Sequence, residues 1–426
     1  MRMWVVVLGV VLGVTVPGQA AAQRAEVAAS AAELRDEVVA WRRDLHAHPE
    51  LSNREERTAR VVAEHLRALG LEPRTGIAHH GVSVVIEGAL PGPRIALRAD
   101  MDALPVTERS GLPFESKATG EYRGQTVGVM HACGHDAHTA ILMGVAEALV
   151  GVREQLAGEV LLVFQPAEEG APAPEDGGAS MMLEEGLFEK YQPQMVFGLH
   201  VWAGLHAGDI GVRSGPMMAA SDSFEITVSG RQTHGSRPWG GIDPIVAASA
   251  IVLDAQHIVS RRQDISKLPV VLTFGAIDGG IRHNIIPDSV ELIGTIRSFD
   301  EDMRAQTFAQ LQGVAEHVAA AHGARVDARI PSVDGNPVLA NDPALTARMR
   351  PLLEALPVID TVHEMGLVTG AEDFAYFARA VPGFYFFVGA TPAGKDAATA
   401  PSNHSPEFFL DEQALEVGTR ALLAVA

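Results

Sequence analysis

Residues 130–140 read MHACGHDAHTA and place Cys133, three histidines and an aspartate almost side by side. Cys133 is the only cysteine of the 426 residues. The helical pattern that follows, from about Asp136 to Val150, predicts that Cys133 and His135 lie on the turn before the helix, because residues two apart on a helix point away from each other. The amides and dipole of a helix start lower a thiol pKa, which favours a thiolate at this turn. Nitrogen, sulfur and carboxylate donors together indicate zinc or another divalent first-row metal.

Short apolar runs alternate with helical stretches around this turn. Helices are predicted over 27–48 and 53–70, the second opening with Ser52 and Glu55 at the spacing of a capping box. The predicted strands are VSVVIEG, RIALRAD, EVLLVFQPAEEG and MVFGLHVW. Such runs of Val, Ile and Leu are typical of a sheet covered on both faces, so this part of the chain is predicted to be an α/β domain.

The pattern changes over residues 217–331. SFEITVSG is followed by a helix with Asp243 as its cap and Pro244 at its first position, then by PVVLTFGAI, SVELIGTIRSF, a helix from about Glu301 to His322, and ARVDARI. This is the βαββαβ order of the ferredoxin-like split unit. The earlier alternation resumes at about 336. We therefore expect a catalytic domain of two parts, 23–216 and 332–426, with an inserted lid domain over 217–331.

The termini and composition bear on location and partners. Residues 1–22 combine Arg2, an apolar run and a small-residue Ala20-Ala21-Ala22 ending, which predicts a cleaved signal peptide and a periplasmic or secreted protein. The chain has 33 basic and 53 acidic residues, a formal net charge of −20. This balance argues against nucleic acid or an anionic membrane as a partner.

Ligand-type residues recur at the ends of predicted strands. They are Cys133 and His135, Glu168 and Glu169, His200, and His404. Ligands in open α/β sheets gather outside the carboxyl ends of strands, so these side chains are expected to converge. At the end of an extended segment, adjacent side chains point in opposite directions. Glu169 is therefore predicted to bind metal while Glu168 takes a proton from the water that the metal activates.

The motifs RRDLHAHPELS, ALRADMDALPV, HACGHDAHTA, FQPAEEG, THGSRPWGGIDPI and NHSPEFFLDE closely resemble the aminoacylase and carboxypeptidase group of metallopeptidases. The nearest similarity is to the amidohydrolase branch that contains hippurate hydrolases and indole-acetyl amino acid hydrolases. The resemblance extends in order over nearly the whole chain after residue 22. It implies a catalytic metal domain with an inserted lid or dimerisation domain, and a homodimer.

The resemblance also implies roles for single residues. Those matching the family's metal ligands, for two divalent ions (manganese, zinc, cobalt or nickel), are Cys133, His135, Glu169, His200 and His404. Glu168 matches the general base, and Asp102 the aspartate that orients a ligand. Asp100 stands where more distant relatives have a histidine ligand, and Cys133 is the candidate substitute. In the lid, His234 resembles the histidine that reaches a neighbouring subunit's site to stabilise an oxyanion. Asn284 and Arg297 resemble the residues that hold the substrate carboxylate.

The expected activity is metal-dependent hydrolysis of the amide bond of N-acyl or N-aroyl amino acids. A dipeptidase or carboxypeptidase is the alternative, because its substrates also present an amide and a free carboxylate. A non-catalytic metal-binding or peptide-binding protein would use the same cleft. A nucleophilic Cys133 is a further alternative, since a helix start with a nearby histidine also suits that role.

Overall fold

A computed structural model describes residues 33–333 and 335–426 of the chain. The predicted signal peptide, residues 1–22, lies outside the described residues. Within the described part, no helix is both long enough and apolar enough to cross a membrane.

A mixed sheet of eight strands forms the centre of the larger part of the molecule. Its strands are β1 (Arg74–Ile77), β2 (Gly81–Glu87), β3 (Leu90–Asp100), β6 (Ala157–Gln165), β7 (Met195–His206), β8 (Asp209–Val212), β17 (Thr361–Glu364) and β18 (Gly383–Thr391). Their order is β1-β2-β6-β3-β7-β18-β8-β17. The four central strands β6, β3, β7 and β18 run parallel to their neighbours within this set. The predicted α/β class is confirmed.

Helices cover both faces of this sheet. They are α1 (Arg35–Ala47), α2 (Glu56–Ala68), α3 (His135–Gly151), α4 (Gly178–Glu184), α5 (Leu187–Tyr191), α8 (Pro343–Glu354), α9 (Phe374–Ala380) and α10 (Gln413–Val425). Successive residues of β18 enter different cores: Phe386 packs in the core with α3 and α10, and Phe387 in the core with α4 and α9. A strand between two cores needs apolar side chains on both faces, which explains its continuous hydrophobic sequence.

A separate four-stranded antiparallel sheet forms between residues 220 and 329. Its strands are β10 (Ala220–Ser229), β12 (Val270–Asp278), β14 (Ser289–Ser298) and β15 (Arg325–Arg329), in the order β12-β14-β10-β15. Helices α6 (Pro244–His257) and α7 (Glu301–Ala321) complete the predicted βαββαβ order. Phe224, Ile226 and Val228 alternate into this part's own hydrophobic core. The exact domain limits of 216/217 and 331/332 stay predictions.

Short paired strands complete the architecture. They are β4 (Thr119–Tyr122) with β5 (Gln125–Gly128), β9 (Gly215–Met218) with β16 (Leu339–Asn341), and β11 (Thr233–His234) with β13 (Ile285–Ile286).

One predicted helix cap is right and one is wrong. Asp243 caps α6, because its carboxylate accepts the amides of Ile245 and Val246. The capping box predicted at Ser52 and Glu55 does not form. The Glu50 carboxylate instead accepts the first-turn amides of Arg57 and Thr58 at 2.9 and 2.8 Å. The side chains of Ser52 and Glu55 make hydrogen bonds to residues distant in the sequence, and these contacts lie beside the candidate site.

Candidate metal centre

The pairing register of the central strands places the predicted ligand segments at the same position along the sheet. Asp100, the last residue of β3, pairs with Gln165, the last residue of β6. Arg98 pairs with Gly198 of β7, two residues before His200. The segments that follow β3 and β6 therefore meet beside His200, as expected for the carboxyl ends of parallel strands.

Three side chains converge on the Cys133 sulfur. Its Sγ lies 3.2 Å from Nε2 of His200 and 3.2 Å from Nε2 of His404. Oε1 of Glu169 lies 3.1 Å from the same nitrogen of His404. Gly134 makes this turn possible: its φ is +101°, and a Cβ there would lie 2.2 Å from a methyl carbon of Val201. A larger residue would therefore displace the cysteine or the strand that carries His200.

His135 offers an unused ligand atom to the same cluster. Its ring is fully buried, and Nε2 has no hydrogen-bond partner among the described residues. An unpaired buried nitrogen is costly, which indicates a ligand at this position. Ligand atoms lie within 4.8 Å of one another in two groups that share the sulfur, Cys133 with His135 and His200, and Cys133 with Glu169 and His404. This donor set fits a divalent metal centre.

Asp102 links three of the surrounding segments. Its Oδ1 lies 3.1 Å from Nδ1 of His135, whose other partner is the Asp102 carbonyl oxygen at 2.9 Å. Its Oδ2 accepts hydrogen bonds from the Ser52 hydroxyl at 2.7 Å and from the Glu169 amide at 3.0 Å. Because Nδ1 of His135 faces two acceptors, Nε2 is left to bind metal. The structure therefore gives Asp102 the geometry of an orienting residue.

Glu168 and Glu169 lie on a turn and both face the cluster. β6 ends at Gln165, and Ala167 has φ +53°, so the segment is not extended. Carboxylate oxygens of both glutamates lie within 4.8 Å of each other and of a His135 nitrogen. The expectation that the two side chains point in opposite directions is wrong for this reason. Glu168 Oε1 also accepts a hydrogen bond from the Asp373 amide at 3.3 Å.

Burial sets the direction of the pKa shifts of Cys133, Glu168 and His200. For His135 burial lowers the pKa, but the carboxylates of Asp100 and Asp102 outweigh it and raise the pKa to about 10. Burial, with the carboxylates of Glu169 and Glu168, raises the pKa of the Cys133 thiol well above its usual value. The expectation that the helix start would favour a thiolate is thus wrong for the protein alone, although a coordinated cation deprotonates a thiol. Burial also raises the pKa of Glu168, with contributions from Glu372 and Glu169. It lowers the pKa of His200 well below its usual value, which keeps that imidazole neutral as a ligand must be.

Asp100 belongs to a buried network beneath the cluster. Its two oxygens lie 2.5 Å from Nδ1 of His138 and 2.7 Å from the Arg98 guanidinium. Arg98 also contacts Glu372 and Asp373 at 2.9 and 2.8 Å. Asp100 Oδ2 stays 3.7 Å from Nε2 of His135, so Asp100 is tied to Arg98 and His138. Cys133, by contrast, lies among the other candidate ligands, as expected of a substitute ligand.

Asn403 is a supporting residue that the sequence interpretation missed. Its amide nitrogen donates to the carbonyls of Cys133 and Val201, both at 3.0 Å, and its oxygen accepts the Ala203 amide at 3.2 Å. One side chain thus ties together the segments that carry Cys133, His200 and His404. The only signal in the sequence is its position directly before His404, which does not reveal its partners.

A cavity of about 1740 Å³ opens onto the cluster. Cys133, Glu168, Glu169, His200 and His404 contribute to its wall. Trp202, Met218 and Val368 supply apolar surface, and Arg297 lines the cavity from β14. Arg304 binds the two oxygens of the nearby Asp222 at 2.8 and 2.6 Å. Because Arg304 neutralises that carboxylate, the half-buried Arg297 is left to bind another anion.

His234 and Asn284 do not line this cavity. His234 of β11 pairs with Ile285 of β13, so it lies beside Asn284. The Asn284 carbonyl oxygen accepts the Gly235 amide at 2.8 Å. The structure therefore brings these two residues to each other, but it does not bring them to the cavity that Arg297 and the candidate ligands share within one chain.

Comparisons with known proteins identify a family and several relatives with similar sequences. Residues 96–426 match Peptidase family M20/M25/M40. Thermostable carboxypeptidase 2 of Saccharolobus solfataricus is 40% identical over 396 residues, which cover 92% of this chain and 96% of that protein. The N-acyl-L-amino acid amidohydrolase of Geobacillus stearothermophilus is 41% identical over 297 residues, 70% of this chain and 76% of that protein.

A solved structure supports the fold. It is that of the Bacillus subtilis YXEP protein, described as a dinuclear metal-binding peptidase from the M20 family. It superposes with a TM-score of 0.76 at 34% identity, covering 92% of this chain and 98% of the other.

Proposed function

The chain belongs to Peptidase family M20/M25/M40 and is a metal-dependent amidohydrolase, and we propose that it hydrolyses the amide bond of N-acyl or N-aroyl amino acids. The products are a carboxylic acid and a free amino acid. The observation that carries this proposal is a single cavity that is lined both by the candidate ligands with Glu168 and by the half-buried Arg297 of β14. An amide bond and a free carboxylate in one small substrate match these two features.

The residues that would hold the metal are Cys133, His135, Glu169, His200 and His404, and we propose two divalent ions per subunit. The metal supplies Lewis acidity and a water that loses its proton near neutral pH. Glu168, whose carboxylate lies beside His135, accepts the proton from the attacking water. Glu168 then donates this proton to the amine that leaves, so a single carboxyl group serves as base and acid.

Substrate binding is assigned to the remaining walls of the cavity. Arg297 binds the substrate carboxylate, because a guanidinium can hold its two oxygens at once. The apolar wall formed by Trp202, Met218 and Val368 receives the acyl or aroyl group. Trp202 is held by ring contact with Phe387, with centroids 4.7 Å apart. An aromatic ring among apolar side chains favours aromatic acyl groups.

A carboxypeptidase is the second candidate, because a relative of that name is 40% identical over most of the chain. Its substrates would place a peptide in the apolar part of the cavity and a carboxylate on Arg297. We further propose export through the signal at residues 1–22, a periplasmic or secreted location and a homodimer.

A substrate panel tests the proposed function. Hippurate, N-acetyl amino acids and dipeptides are incubated with metal-loaded protein, and the released amine is quantified. Hippurate should be cleaved and its carboxamide cleaved poorly, since the amide lacks the charge that Arg297 binds. Faster cleavage of dipeptides than of all acyl amino acids would favour the carboxypeptidase. If none of these substrates releases an amine in a metal-dependent reaction, the result would favour a non-catalytic metal-binding or peptide-binding protein.

Glu168→Gln tests the mechanism in the same assay. The variant should retain metal but lose roughly 10²–10⁴-fold in rate, because the proton carrier is gone. Glu184→Gln is the matched control, since Glu184 lines the cavity outside the metal-ligand cluster. Near-normal turnover by the metal-loaded Glu168→Gln variant would contradict the mechanism.

A further inference from the structure

The loop Leu51–Glu55, here called the 51–55 loop, contacts the turn that carries Glu168. Glu55 is fully buried, and its Oε1 accepts two amides, from Asn53 at 3.0 Å and from Ala167 at 2.9 Å. Ala167 is the residue directly before Glu168. The carboxyl group that sequence spacing assigned to a helix cap therefore holds the backbone next to the proposed general base.

The Ala167 backbone needs such support. Its φ of +53° lies in the left-handed region, and its side chain is 2% exposed. A residue with a Cβ pays an energetic cost in that region, so the conformation persists only where surrounding contacts enforce it. The conformation also sets the direction in which Glu168 leaves the end of β6. The Glu55 hydrogen bond is thus placed at the residue that determines where Glu168 points.

Ser52 supports the other side of Glu168. Its hydroxyl donates to Asp102 Oδ2 at 2.7 Å, and this oxygen also accepts the Glu169 amide at 3.0 Å. The amides before and after Glu168 therefore both donate to carboxyl groups that the 51–55 loop supplies or contacts. Farther along, Asn53 and Arg54 bind Glu175, which lies outside the turn that carries Glu168.

We propose that the 51–55 loop, through Glu55 and Ser52, positions Glu168 and Glu169 relative to the metal. Neither side chain lies among the candidate metal ligands, so both are positioning residues. This inference rests on the proposed function for its kinetic test. Its physical basis is that outer contacts which orient ligands and catalytic groups affect activity or metal affinity by roughly 10–100-fold.

The test compares Glu55→Ala with Glu55→Gln. Glu55→Ala removes the acceptor of the Ala167 amide, and we expect kcat to fall roughly 10–100-fold while KM stays within about threefold. Glu55→Gln keeps an acceptor oxygen at the same place and should restore most of kcat. The second readout is the visible absorption of the Co²⁺-loaded protein. It should change in Glu55→Ala, because Glu169 lies on the same turn, and return in Glu55→Gln.

Arg54→Gln is the matched control. It removes a surface ion pair between the same loop and Glu175, at 2.6 Å, without touching Ala167 or Asp102. Its kcat and Co²⁺ spectrum should stay close to those of the parent protein. If Glu55→Ala folds poorly, Ser52→Ala replaces it, with rescue by Ser52→Thr, which keeps the hydroxyl that Asp102 accepts.

The outcomes separate this inference from the proposed function. A parent protein that cleaves no substrate in the panel refutes the function, and the Co²⁺ spectra alone then decide the positioning role. A spectrum altered in Glu55→Ala and restored in Glu55→Gln supports that role. An unchanged spectrum overturns it. With an active parent protein, a Glu55→Ala variant whose kcat matches that of Arg54→Gln overturns it as well.

Discussion

Cys133 lies among carboxylates that oppose its ionisation. Burial and the nearby Glu169 and Glu168 raise its thiol pKa, whereas a cysteine nucleophile needs a lowered one. A cysteine that binds a metal together with His200 and His404 would also have its sulfur at these short distances from both histidines. A divalent cation would reverse the local electrostatics, since it neutralises the carboxylates and binds the thiolate. The surroundings therefore favour a ligand over a nucleophile.

Cys133→Ser should lower metal affinity. A serine hydroxyl is a harder and weaker donor, and it stands where two groups of candidate ligands meet. We expect a loss of more than about 100-fold, since outer contacts alone cost roughly 10–100-fold. Competition with a chelator, followed by elemental analysis, measures it. Glu168→Gln is the comparison that should keep its metal. An acyl group trapped on Cys133 during turnover would instead support the nucleophile.

Glu55 should make stability depend on pH. Burial, together with the neighbouring Asp102, raises the pKa of Glu55 from 4.5 to about 8. Between these values the folded chain keeps a proton that the unfolded chain has released, so its contribution to stability falls as pH rises. Glu55→Gln cannot ionise. In the presence of chelator, its Tm relative to the parent should increase from about pH 5 to about pH 8.

The control for this titration is Glu56→Gln, at the exposed next position. Its Tm difference from the parent should change much less across the same interval. A Tm difference for Glu55→Gln that is constant with pH would contradict the inference that burial raises the pKa of Glu55.

At the scale of elements, the sequence indicated hydrogen bonds between neighbouring residues but not those between residues far apart in the chain. The Asp243 cap was predictable because its partners are two and three residues away. Ser52 and Glu55 had the spacing of a cap, but Asp102 and Ala167 compete for their side chains across 50 and 112 residues. Residue spacing predicts only hydrogen bonds within the helix start. It could not show that these side chains would bond to distant residues instead.

The candidate site was also predictable from the sequence only in part. The approach of Glu168 and Glu169 to His200 could be predicted, because the carboxyl ends of parallel strands meet at one edge of a sheet. His200 itself lies within β7, and Cys133 and His404 lie in loops. The three contacts of Asn403 could not be predicted, since an amide in a loop carries no signal of its partners. The sequence also could not indicate that the pKa of Cys133 is raised. This shift depends on burial and on the carboxylates of Glu168 and Glu169, which follow a different strand.

Asp243→Ala should loosen the start of α6. Removing an aspartate cap costs about 1 kcal/mol, within a range of roughly 0.5–2. Hydrogen exchange of amides 245–248 should quicken by about fivefold, while the end of the helix changes less. Asp254→Ala is the matched control, because Asp254 is exposed in the same helix and does not cap it. Equal exchange in the two variants would show that the cap contributes nothing.

At the scale of the whole molecule, His234 lies away from the cavity of its own chain. The Ser236 amide donates to its Nδ1 at 3.0 Å, so the ring proton is on Nε2, and the side chain is exposed. Apolar side chains are exposed nearby in sequence or in space, including Trp239 at 77% and Ile281 at 95%. β12 is also an edge of the four-stranded sheet. Exposed apolar groups and an open strand edge both favour pairing with another chain.

If two chains pair, His234 of one should serve the metal site of the other. His234→Ala and Glu168→Gln would each be nearly inactive alone, yet a mixed dimer contains one site with both groups intact. Random exchange at equal amounts makes half the dimers mixed, so about a quarter of parental activity should return in a two-fold assembly.

Arg297→Ala mixed with Glu168→Gln is the matched control, because Arg297 and Glu168 line one cavity of the same chain. No mixed dimer then contains an intact site, and activity should stay at the level of the separate variants. Subunit exchange is verified by native mass spectrometry in both mixtures. Recovery in the His234 mixture alone places this histidine across the interface, since only a residue acting on the partner's site can be complemented. Exchange without recovery would mean that His234 does not act between subunits, and the dimer would then have no part in completing the site.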